Sequence, residues 1–297
     1  MTRPDLTACI ITYNEEGNIG DCLDSLSFCP DVLVVDSHST DATREIARER
    51  GARVMTRDWP GHIRQMSYAV EQATTDWVLW LDADERVTPE LRREIETALS
   101  GPDPAVGYVF NRRIIYLGRW VKHGGWYPDR KIRLFRRSRG RIGGVSPHNV
   151  VHMDAGARTA RLRGVLEHLT FETIGQHVAS INRYTDITAA EMVKRGRRLL
   201  GLRQWLNPAG RFLRMIVMQA GWLDGWRGYV LAGLGAFDEF IRHAKARELL
   251  RDHQGRDLRG FEVVYGRPGD TASPVFKPPP GRHREPAVSD PGTDRRA

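Results

Sequence analysis

Short apolar runs alternate with helical patterns over the first hundred residues, and this alternation constrains the fold most strongly. Runs of strand length occupy residues 6–12, 32–35, 53–55 and 77–81. Between them, apolar residues recur at i, i+3, i+4 and i+7, which places them on one face of a helix. Strand–helix–strand units of this length pair their strands in parallel, with helices over both faces of the sheet. The sequence therefore predicts an α/β fold with a mostly parallel sheet.

Two helix starts are predicted from capping residues. Thr88 followed by Pro89 is typical of an N-cap and the first helical position, and it predicts a helix that ends near residue 100. Ser39 or Thr40 is expected to cap a second helix at residues 41–50, because a side-chain oxygen there can accept from a free backbone N–H.

The pattern changes at Gly107. Strand-like segments follow without helices between them, at residues 108–117, 131–136, 150–153 and 161–166, and Gly-rich turns join them. This favours an antiparallel or mixed extension of the sheet that completes an active site.

The C-terminal part is predicted to be helical. Apolar spacing from Thr173 onward indicates helices, and residues 212–240 are rich in Trp, Gly and Leu. Beyond Gly266 the chain is rich in Pro, Gly and charge without periodicity, which predicts disorder. The expected organisation is an α/β domain at residues 1–170, a helical extension at 171–265 and a disordered tail at 266–297.

Composition narrows the classes of partner and compartment. The net charge of +8 favours an acidic partner, such as nucleic acid, anionic lipid or a phosphorylated substrate. Cys9, Cys22 and Cys29 have no metal-ligand spacing, and their odd number favours a reducing compartment. The N-terminus has no signal-peptide pattern, and no apolar run reaches the ~18 residues of a spanning helix, so we expect no export.

Two carboxylates end the apolar run at residues 77–81. Asp82 and Asp84 are two residues apart, so on a strand they share a face. Mg²⁺ and Mn²⁺ prefer oxygen ligands, and Mg²⁺ commonly binds one or two carboxylates together with substrate phosphates. The pair therefore predicts a divalent cation held between the protein and a diphosphate.

Polar clusters follow three of the predicted strands, at residues 12–16, 36–41 and 82–84. Open parallel sheets bind ligands beyond the carboxyl ends of their strands, so the three clusters should meet at one edge. Each cluster alone is better explained as a turn, because Asn, Asp, Ser and Thr are common turn residues. Their joint placement favours a ligand site.

These segments resemble a known family. The similarity is carried by TYNEE at 12–16, VVDSHSTD at 34–41, LDADE at 81–85, GWYPDRK at 125–131 and RLFR at 133–136. They are similar to the family 2 glycosyltransferases with the GT-A fold, and most similar to the lipopolysaccharide inner-core glucosyltransferase group. The resemblance covers roughly residues 6–249.

The resemblance implies transfer of a sugar, usually from a UDP-linked donor, with inversion at the anomeric carbon. It places the nucleoside at Thr12, Tyr13, Asn14 and Glu15, the uracil or ribose at Asp36, with Ser39 in the same segment, and the metal diphosphate at Asp82, Ala83 and Asp84. The metal would be Mg²⁺ or Mn²⁺, bound by Asp82 and Asp84.

Asp129 is the candidate general base. An inverting transfer needs a group that removes the acceptor proton, and Asp129 is the only acid between Arg112 and Arg141. The neighbouring Trp126 and Tyr127 could stack on a sugar ring. The alternative is a simple turn, since Pro-Asp is turn chemistry, and the many nearby cations require a pocket that separates Asp129 from most of them.

Further contacts are expected from histidines and from one helix. His148 and His168 could contact the diphosphate, the metal or the acceptor, although a single histidine is more often a structural hydrogen-bonding group. Arg64 and Gln65 are expected on the helix before the metal strand, facing either the donor or solvent. Glu85 is expected to begin the next helix, where negative charge is favourable.

A basic and then apolar stretch suggests contact with a membrane. Between Lys194 and Arg214 there are seven Lys or Arg and no acid, and charges within residues 212–240 argue against a spanning helix. An amphipathic helical pair on an anionic membrane fits this pattern; packing of the same pair on the catalytic domain fits equally well. The expected location is the cytoplasmic face of the inner membrane.

Other classes of protein fit less well. A nucleic-acid-binding module would show a reader motif and charges on one element, so no nucleic acid is expected. A haloacid-dehalogenase-type phosphatase would carry its Asp-x-Asp on the first strand. The sequence is thus best explained as an inverting, metal-dependent glucosyltransferase that uses a UDP-sugar and a glycolipid or oligosaccharide acceptor. A polyprenyl phosphate or protein acceptor, or a non-catalytic nucleotide-sugar-binding protein, remains the alternative.

Overall fold

The computed structural model of the protein describes residues 5–101, 105–145, 148–195, 203–253, 258, 261–264 and 275–277. Its strands are β1 (Leu6–Thr12), β2 (Asp31–Asp36), β3 (Arg53–Thr56), β4 (Trp77–Asp82), β5 (Glu85–Val87), β6 (Gly107–Tyr116), β7 (Arg119–Trp120), β8 (Asp129–Arg136), β9 (Gly140–Val145), β10 (His148–Met153), β11 (Thr159–Phe171), β12 (Glu262–Val264) and β13 (Val275–Lys277). Its α-helices are α1 (Ile19–Ser25), α2 (Thr43–Glu49), α3 (His62–Glu71), α4 (Pro89–Ser100), α5 (Ile174–Lys194), α6 (Arg203–Leu213) and α7 (Trp226–Asp252), with a π-helix at Arg214–Met218 and a 3₁₀ helix at Gly221–Asp224 between the last two.

A nine-stranded mixed sheet forms the centre of the protein. The strand order is β3-β2-β1-β4-β8-β6-β11-β5, with β7 paired to β6. The first four strands of this order are parallel, whereas β8 pairs antiparallel with both β4 and β6. Both the parallel first half and the mixed extension agree with the prediction.

Among the parallel strands, β1 and β4 are buried on both faces, as their nearly continuous apolar sequence requires, whereas β3 at the sheet edge is partly exposed. Along β1, Ala8 and Ile10 pack into one core cluster, while Cys9 and Ile11 pack into the cluster on the opposite face. All three cysteines are free and buried. Burial raises the pKa of the Cys9 thiol to about 12, so this cysteine is an unreactive core residue.

The predicted start of α4 is confirmed, but two other helix predictions are wrong. The Thr88 hydroxyl accepts from the Leu91 backbone N–H, and Pro89 occupies the first turn. At α2, however, Ala42 is the N-cap residue, and neither Ser39 nor Thr40 caps the helix. The reason is that Ser39 bonds to Asp36 instead. Glu85 begins strand β5 rather than a helix, because three residues pair there with β11 before α4 starts.

The C-terminal region is helical, as expected. Thr173 and Gln176 form a reciprocal capping box at the start of α5, and α7 packs against both α5 and α6. No helix in the described part of the chain is both long enough and apolar enough to cross a bilayer. The tail prediction does not hold for Val275–Lys277, which pair with Glu262–Val264; residues 265–274 and 278–297 lie outside the described residues.

Candidate active site

Three strand ends bring the predicted polar clusters to one edge of the sheet. In the parallel register, Thr12 of β1 lies opposite Asp36 of β2, and Ile11 lies opposite Asp82 of β4. Because neighbouring parallel strands end together, the loops that follow them face the same space. The joint placement expected from the sequence is therefore present.

Hydrogen bonds to Asp36 organise the first two loops. This buried carboxylate accepts from the Ser39 backbone N–H at 2.9 Å and from the Ser39 hydroxyl. The Ser39 hydroxyl accepts in turn from the Asn14 backbone N–H at 2.8 Å, and the Asn14 side chain accepts from the Thr40 N–H at 2.8 Å. Asn14 has a positive φ of 53°, a conformation that asparagine tolerates better than most residues. Asp36 and Ser39 thus fix the shape of the loops.

Glu15 sits in an unusual electrostatic environment beside these loops. Burial raises the pKa of its carboxyl to about 7, with further upward contributions from Asp84, Asp41 and Asp82, while the Asn18 amide lowers it. Its backbone N–H donates to the Thr43 hydroxyl at 2.8 Å. Near neutral pH Glu15 can therefore carry a proton and donate a hydrogen bond.

Gln65 and Arg64 point to different environments although they are adjacent on α3. Gln65 is fully buried and donates to the Ser37 hydroxyl at 3.1 Å. Arg64 is exposed. The side-chain oxygens of Gln65 and Thr12 are buried without a hydrogen-bond partner among the described residues. Since buried polar groups are normally bonded, these two oxygens are available to a ligand at the strand ends. Tyr13 is half-buried, and Ala83 belongs to the core.

Asp82 is held by arginines. Its Oδ2 lies 3.0 Å from Arg133 Nη2 and 3.9 Å from Arg112 Nη1, and its Oδ1 lies 3.7 Å from His62 Nε2. Burial opposes ionisation, but Arg133, His62 and Arg112 together hold the pKa of Asp82 well below its usual range. Asp82 is therefore an ionised carboxylate whose Oδ2 already has two arginine partners.

Glu85 bonds to both Arg133 and Arg112 from the protein interior. It is fully buried and accepts from Arg133 Nη2 at 2.5 Å, from Arg112 Nη1 at 2.9 Å and from the Asp82 backbone N–H at 3.0 Å. A buried charge needs such partners to be tolerated. Glu85 is thus part of the site framework.

Asp84 pairs with a histidine from the far end of the sheet. Its Oδ2 lies 3.1 Å from Nε2 of His168 on β11. Burial lowers the pKa of His168, but the Asp84 carboxylate raises it by more, so the net pKa is above the ordinary value. The Nδ1 of His168 has no hydrogen-bond partner among the described residues.

The side chains near Asp84 can hold a divalent cation only if a bound substrate supplies further coordinating atoms. Within the described ranges, no group of three or more His, Cys, Asp or Glu side chains is arranged to hold a metal. Asp84 is partly exposed, at 24% of its side chain, and His168 offers a ring nitrogen beside it. A carboxylate with a few further donors from phosphates and water is a usual Mg²⁺ or Mn²⁺ site.

Asp129 is clamped through one oxygen. Arg112 donates to Asp129 Oδ2 from Nε at 2.7 Å and from Nη2 at 2.5 Å. Oδ1 has a more distant cation, Lys131 Nζ at 4.0 Å. Arg112 therefore joins the Asp129 carboxylate to Glu85, and Oδ1 is the oxygen that remains available to a substrate.

A cavity of about 220 Å³ collects several predicted residues. Its walls are formed by Arg112, Ile114, Gly125, Trp126, Pro128, Asp129 and His168. Tyr127 does not line it; its ring packs edge-on against Trp120, with centroids 5.3 Å apart. His148 begins β10, but its side chain lies outside the described residues. The cavity thus joins the candidate base to one aromatic ring and to the partner of Asp84.

Arg112, Arg133 and Glu85 were not predicted as site residues. A signal for Arg133 exists, because Asp129, Lys131 and Arg133 alternate along a strand and so share a face. The Arg133 guanidinium also lies 3.5 Å from the centroid of the Trp80 ring. Arg112 lies opposite Asp129 in the β6–β8 register, which spacing along the chain does not reveal.

Comparison with known proteins finds a matching family and similar relatives. The family model described as Glycosyl transferase family 2 matches residues 7–170. The lipopolysaccharide core biosynthesis glycosyltransferase LpsC of Rhizobium meliloti is 30% identical over 246 residues, covering 81% of this chain and 91% of that protein. The uncharacterized glycosyltransferase RT0209 of Rickettsia typhi is 32% identical over 250 residues, covering 81% and 86%.

Among solved structures, the mannosyltransferase PcManGT of Pyrobaculum calidifontis, in complex with GDP-Man and Mn²⁺, is similar with a TM-score of 0.50 at 17% identity. The similarity covers 83% of this chain and 88% of that one. The predicted GT-A fold and the predicted family resemblance are both confirmed.

Proposed function

Because the chain belongs to glycosyltransferase family 2, we propose that it transfers glucose, with inversion, from a UDP-sugar to a glycolipid or oligosaccharide of the cell envelope. Its activity as a glycosyltransferase follows from the family. The donor, the stereochemistry and the acceptor are the proposed part.

The observation that carries this proposal is the cavity between Asp129 and the Asp84–His168 pair. It presents a carboxylate oxygen, an aromatic ring at Trp126 and a polar ring at His168 within one cavity. A sugar acceptor needs such a combination, because its ring can stack on an aromatic face while its hydroxyls bond to polar groups. The volume of about 220 Å³ suits one sugar ring.

The nucleoside end of the donor would occupy the loops after β1 and β2. The buried oxygens of Thr12 and Gln65 have unmet hydrogen-bonding capacity there, and Asp36 and Ser39 keep the loops in place. A rigid loop frame lowers the entropic cost of binding a ligand. Protonated Glu15 would add a donor near neutral pH.

In the transfer step, an acceptor hydroxyl attacks the anomeric carbon on the face opposite the diphosphate. The new carbon–oxygen bond forms as the bond to the diphosphate oxygen breaks, and Oδ1 of Asp129 takes the acceptor proton. Arg112 orients Asp129 by holding its other oxygen. UDP leaves with the bonding electrons.

Asp84 is the residue proposed to hold a divalent cation, with His168 beside it. Asp82 contributes through its negative charge, since its Oδ2 lies beside Arg133 and Arg112 and its Oδ1 faces His62. When bound, such a cation would neutralise the charge that develops on the diphosphate. The cytoplasm is the proposed compartment, which is supported by the free thiols.

The proposal is tested with the purified protein and a panel of UDP-, GDP- and ADP-sugars, with Mn²⁺ or Mg²⁺ or with a chelator. Binding to the native state raises the melting temperature by mass action, so UDP-glucose with metal should raise it and the chelator should remove most of the shift. A larger shift with a GDP- or ADP-sugar would overturn the donor assignment. Mass spectrometry of the product after incubation with a lipopolysaccharide-core acceptor tests transfer itself.

Two alternatives would give different results in the same assays. A transferase for polyprenyl phosphate or protein would leave the core acceptor unchanged and modify the other acceptor. A non-catalytic nucleotide-sugar-binding protein would show the thermal shift without release of UDP.

A further inference from the structure

An exposed apolar surface lies on the C-terminal helical region. Among the described residues, fourteen large apolar side chains are exposed, and ten of them lie between residues 206 and 240. The most continuous part covers the π-helix, the 3₁₀ helix and the start of α7. We call it the apolar ridge, and each of its six side chains is more than half exposed: Val217, Met218, Trp222, Leu223, Trp226 and Tyr229. Exposed apolar patches of this kind mark interaction surfaces.

The apolar ridge is the outer side of a well-packed element. Met215 and Ile216, which precede Val217 in the π-helix, are buried in a cluster with Leu231 and Ala232. On α7, Trp226 and Tyr229 are three residues apart and therefore share the outward face. The ridge is thus presented by a packed support.

The support is hydrogen-bonded to a loop that forms one wall of the cavity. The Gly124 N–H donates to the Gln219 carbonyl at 2.9 Å, and the His123 N–H donates to Asp224 at 2.8 Å. The next residues in this loop, Gly125 and Trp126, line the cavity. The apolar ridge and the proposed acceptor cavity are therefore joined by one short, hydrogen-bonded loop.

Cations border the apolar ridge. Lys122 and Arg214 are exposed, and the Arg227 guanidinium lies 4.6 Å from the centroid of the Trp226 ring. Asp224 is the only acid between residues 204 and 237, and its side chain is 9% exposed and bonded to His123. The surface that a partner would meet is apolar at its centre and positive at its border.

We propose that the apolar ridge docks on an anionic lipid bilayer and holds the mouth of the cavity at the lipid headgroups. Trp and Tyr are favoured at the membrane interface because one end of each ring is apolar and the other polar. Met, Val and Leu can enter the acyl boundary while Lys and Arg contact anionic headgroups. A second copy of the chain is a poorer partner, since two molecules of net charge +8 repel each other.

This inference rests on the proposed function in one respect: a lipid-borne acceptor would meet the cavity directly from the bilayer. The docking itself needs no acceptor. It can therefore be measured on vesicles that contain none.

The test is co-sedimentation of the full chain with phosphatidylcholine vesicles that contain or lack phosphatidylglycerol. We expect binding to the anionic vesicles and weaker binding at high salt. The double variant Met218→Glu with Trp222→Glu should bind roughly tenfold less. The matched control is Val150→Glu with Tyr184→Glu, which makes the same charge change at two exposed apolar positions outside the ridge. Its vesicle binding should lie within about twofold of that of a reference variant, Arg214→Gln.

Arg214→Gln serves as a mild reference, because it removes one border cation. Absence of binding by the wild-type protein, or equal losses in the ridge and control variants, would overturn the proposal. So would a wild-type dimer, in sedimentation velocity without lipid, that the ridge variant converts to a monomer. UDP-sugar binding is measured on the wild-type protein: absence of docking with intact donor binding rejects only the docking, whereas docking without donor binding rejects only the proposed donor.

Discussion

At the residue scale, one guanidinium connects the parts of the site. Arg112 bonds to Glu85 on one side and to Asp129 on the other, and the negative charges of Glu85, Asp129 and Asp82 raise its pKa above the usual value against the effect of burial. Two N–H groups of Arg112 converge on one oxygen of Asp129, and such charge-assisted hydrogen bonds are stronger than neutral ones. The position of the Asp129 carboxylate is therefore fixed by Arg112, which is itself held by the buried Glu85.

Asp129→Asn should separate binding from transfer. The amide keeps nearly the same shape but cannot take the acceptor proton, so we expect the transfer rate to fall by at least about 100-fold. The thermal shift given by UDP-glucose should change little. Wild-type turnover in this variant would show that another residue acts as the base.

Asp84→Asn should remove the metal dependence of donor binding. Because Asp84 is the carboxylate proposed to hold the cation, the additional thermal shift that Mn²⁺ gives over a chelator should disappear. Asp76→Asn is the matched control, since Asp76 is partly exposed and pairs with Arg136 away from the cavity. A retained metal effect in Asp84→Asn would exclude Asp84 as the ligand.

At the scale of elements, the parallel half of the fold follows from local sequence, whereas the second half does not. Each strand from β1 to β3 is short and has a helix after it, and right-handed crossovers then leave few topologies for β1 to β4. In contrast, β5 pairs with β11, and β11 pairs in parallel with β6. These pairings join residues far apart in the chain, and no local pattern predicts them.

The same distinction applies to the site. The position of Asp82 at a strand end could be predicted from the apolar run before it. The expectation that Asp84 shares a strand face with it is wrong, because β4 ends at Asp82 and Asp84 lies in the turn before β5. The contact of Arg112 with Asp129 depends on the register between two strands, which the sequence does not display. The helix prediction at Ser39 was wrong because its hydroxyl can bond either to the start of α2 or to the neighbouring loops. In the structure it bonds to Asp36 and to the Asn14 backbone N–H, and so it does not cap the helix.

Helix α7 contains two glycines that should respond oppositely to the same substitution. A Cβ at Gly228 would overlap the carbonyl oxygen of Gly221, whereas one at Gly233 would meet nothing within 4 Å. Gly228→Ala should therefore lower the free energy of unfolding by about 1–3 kcal/mol. Gly233→Ala should raise it by about 0.5–1 kcal/mol, because alanine favours a helix.

Denaturant unfolding of both variants measures this difference. Gly228→Ala should also weaken vesicle binding, since the overlap lies directly beneath the apolar ridge. Equal stability of the two variants would contradict the close packing of α7 on the 3₁₀ helix.

At the scale of the whole molecule, His177 connects the helical region to the sheet. Its ring stacks on Phe171 with centroids 4.4 Å apart, and its Nδ1 lies 3.1 Å from the Tyr116 hydroxyl. Trp126, which lines the cavity, lies edge-on to the same ring. The junction between the two parts of the chain is therefore a packed aromatic cluster around one titratable group.

This cluster should make stability depend on pH. Burial lowers the pKa of His177 from 6.5 to about 4, so between these values the unfolded chain binds more protons than the native protein. The contribution of His177 to the free energy of unfolding is complete above about pH 6.5. It is lost as pH falls toward 4, which lowers the free energy of unfolding by up to about 3 kcal/mol. His177→Gln cannot titrate, and its unfolding free energy should fall less over this range. Parallel pH profiles for the two proteins would contradict the assignment.

The hydrogen bonds of residues 122–124 to Gln219 and Asp224 bear on attempts to exchange acceptor preference between relatives. A chimera that receives only the sheet portion would contain the loop that forms the cavity wall but not the native Gln219 and Asp224, to which this loop is hydrogen-bonded. Recombination should therefore cross over outside both segments, so that residues 107–136 and 214–231 are inherited together from one parent.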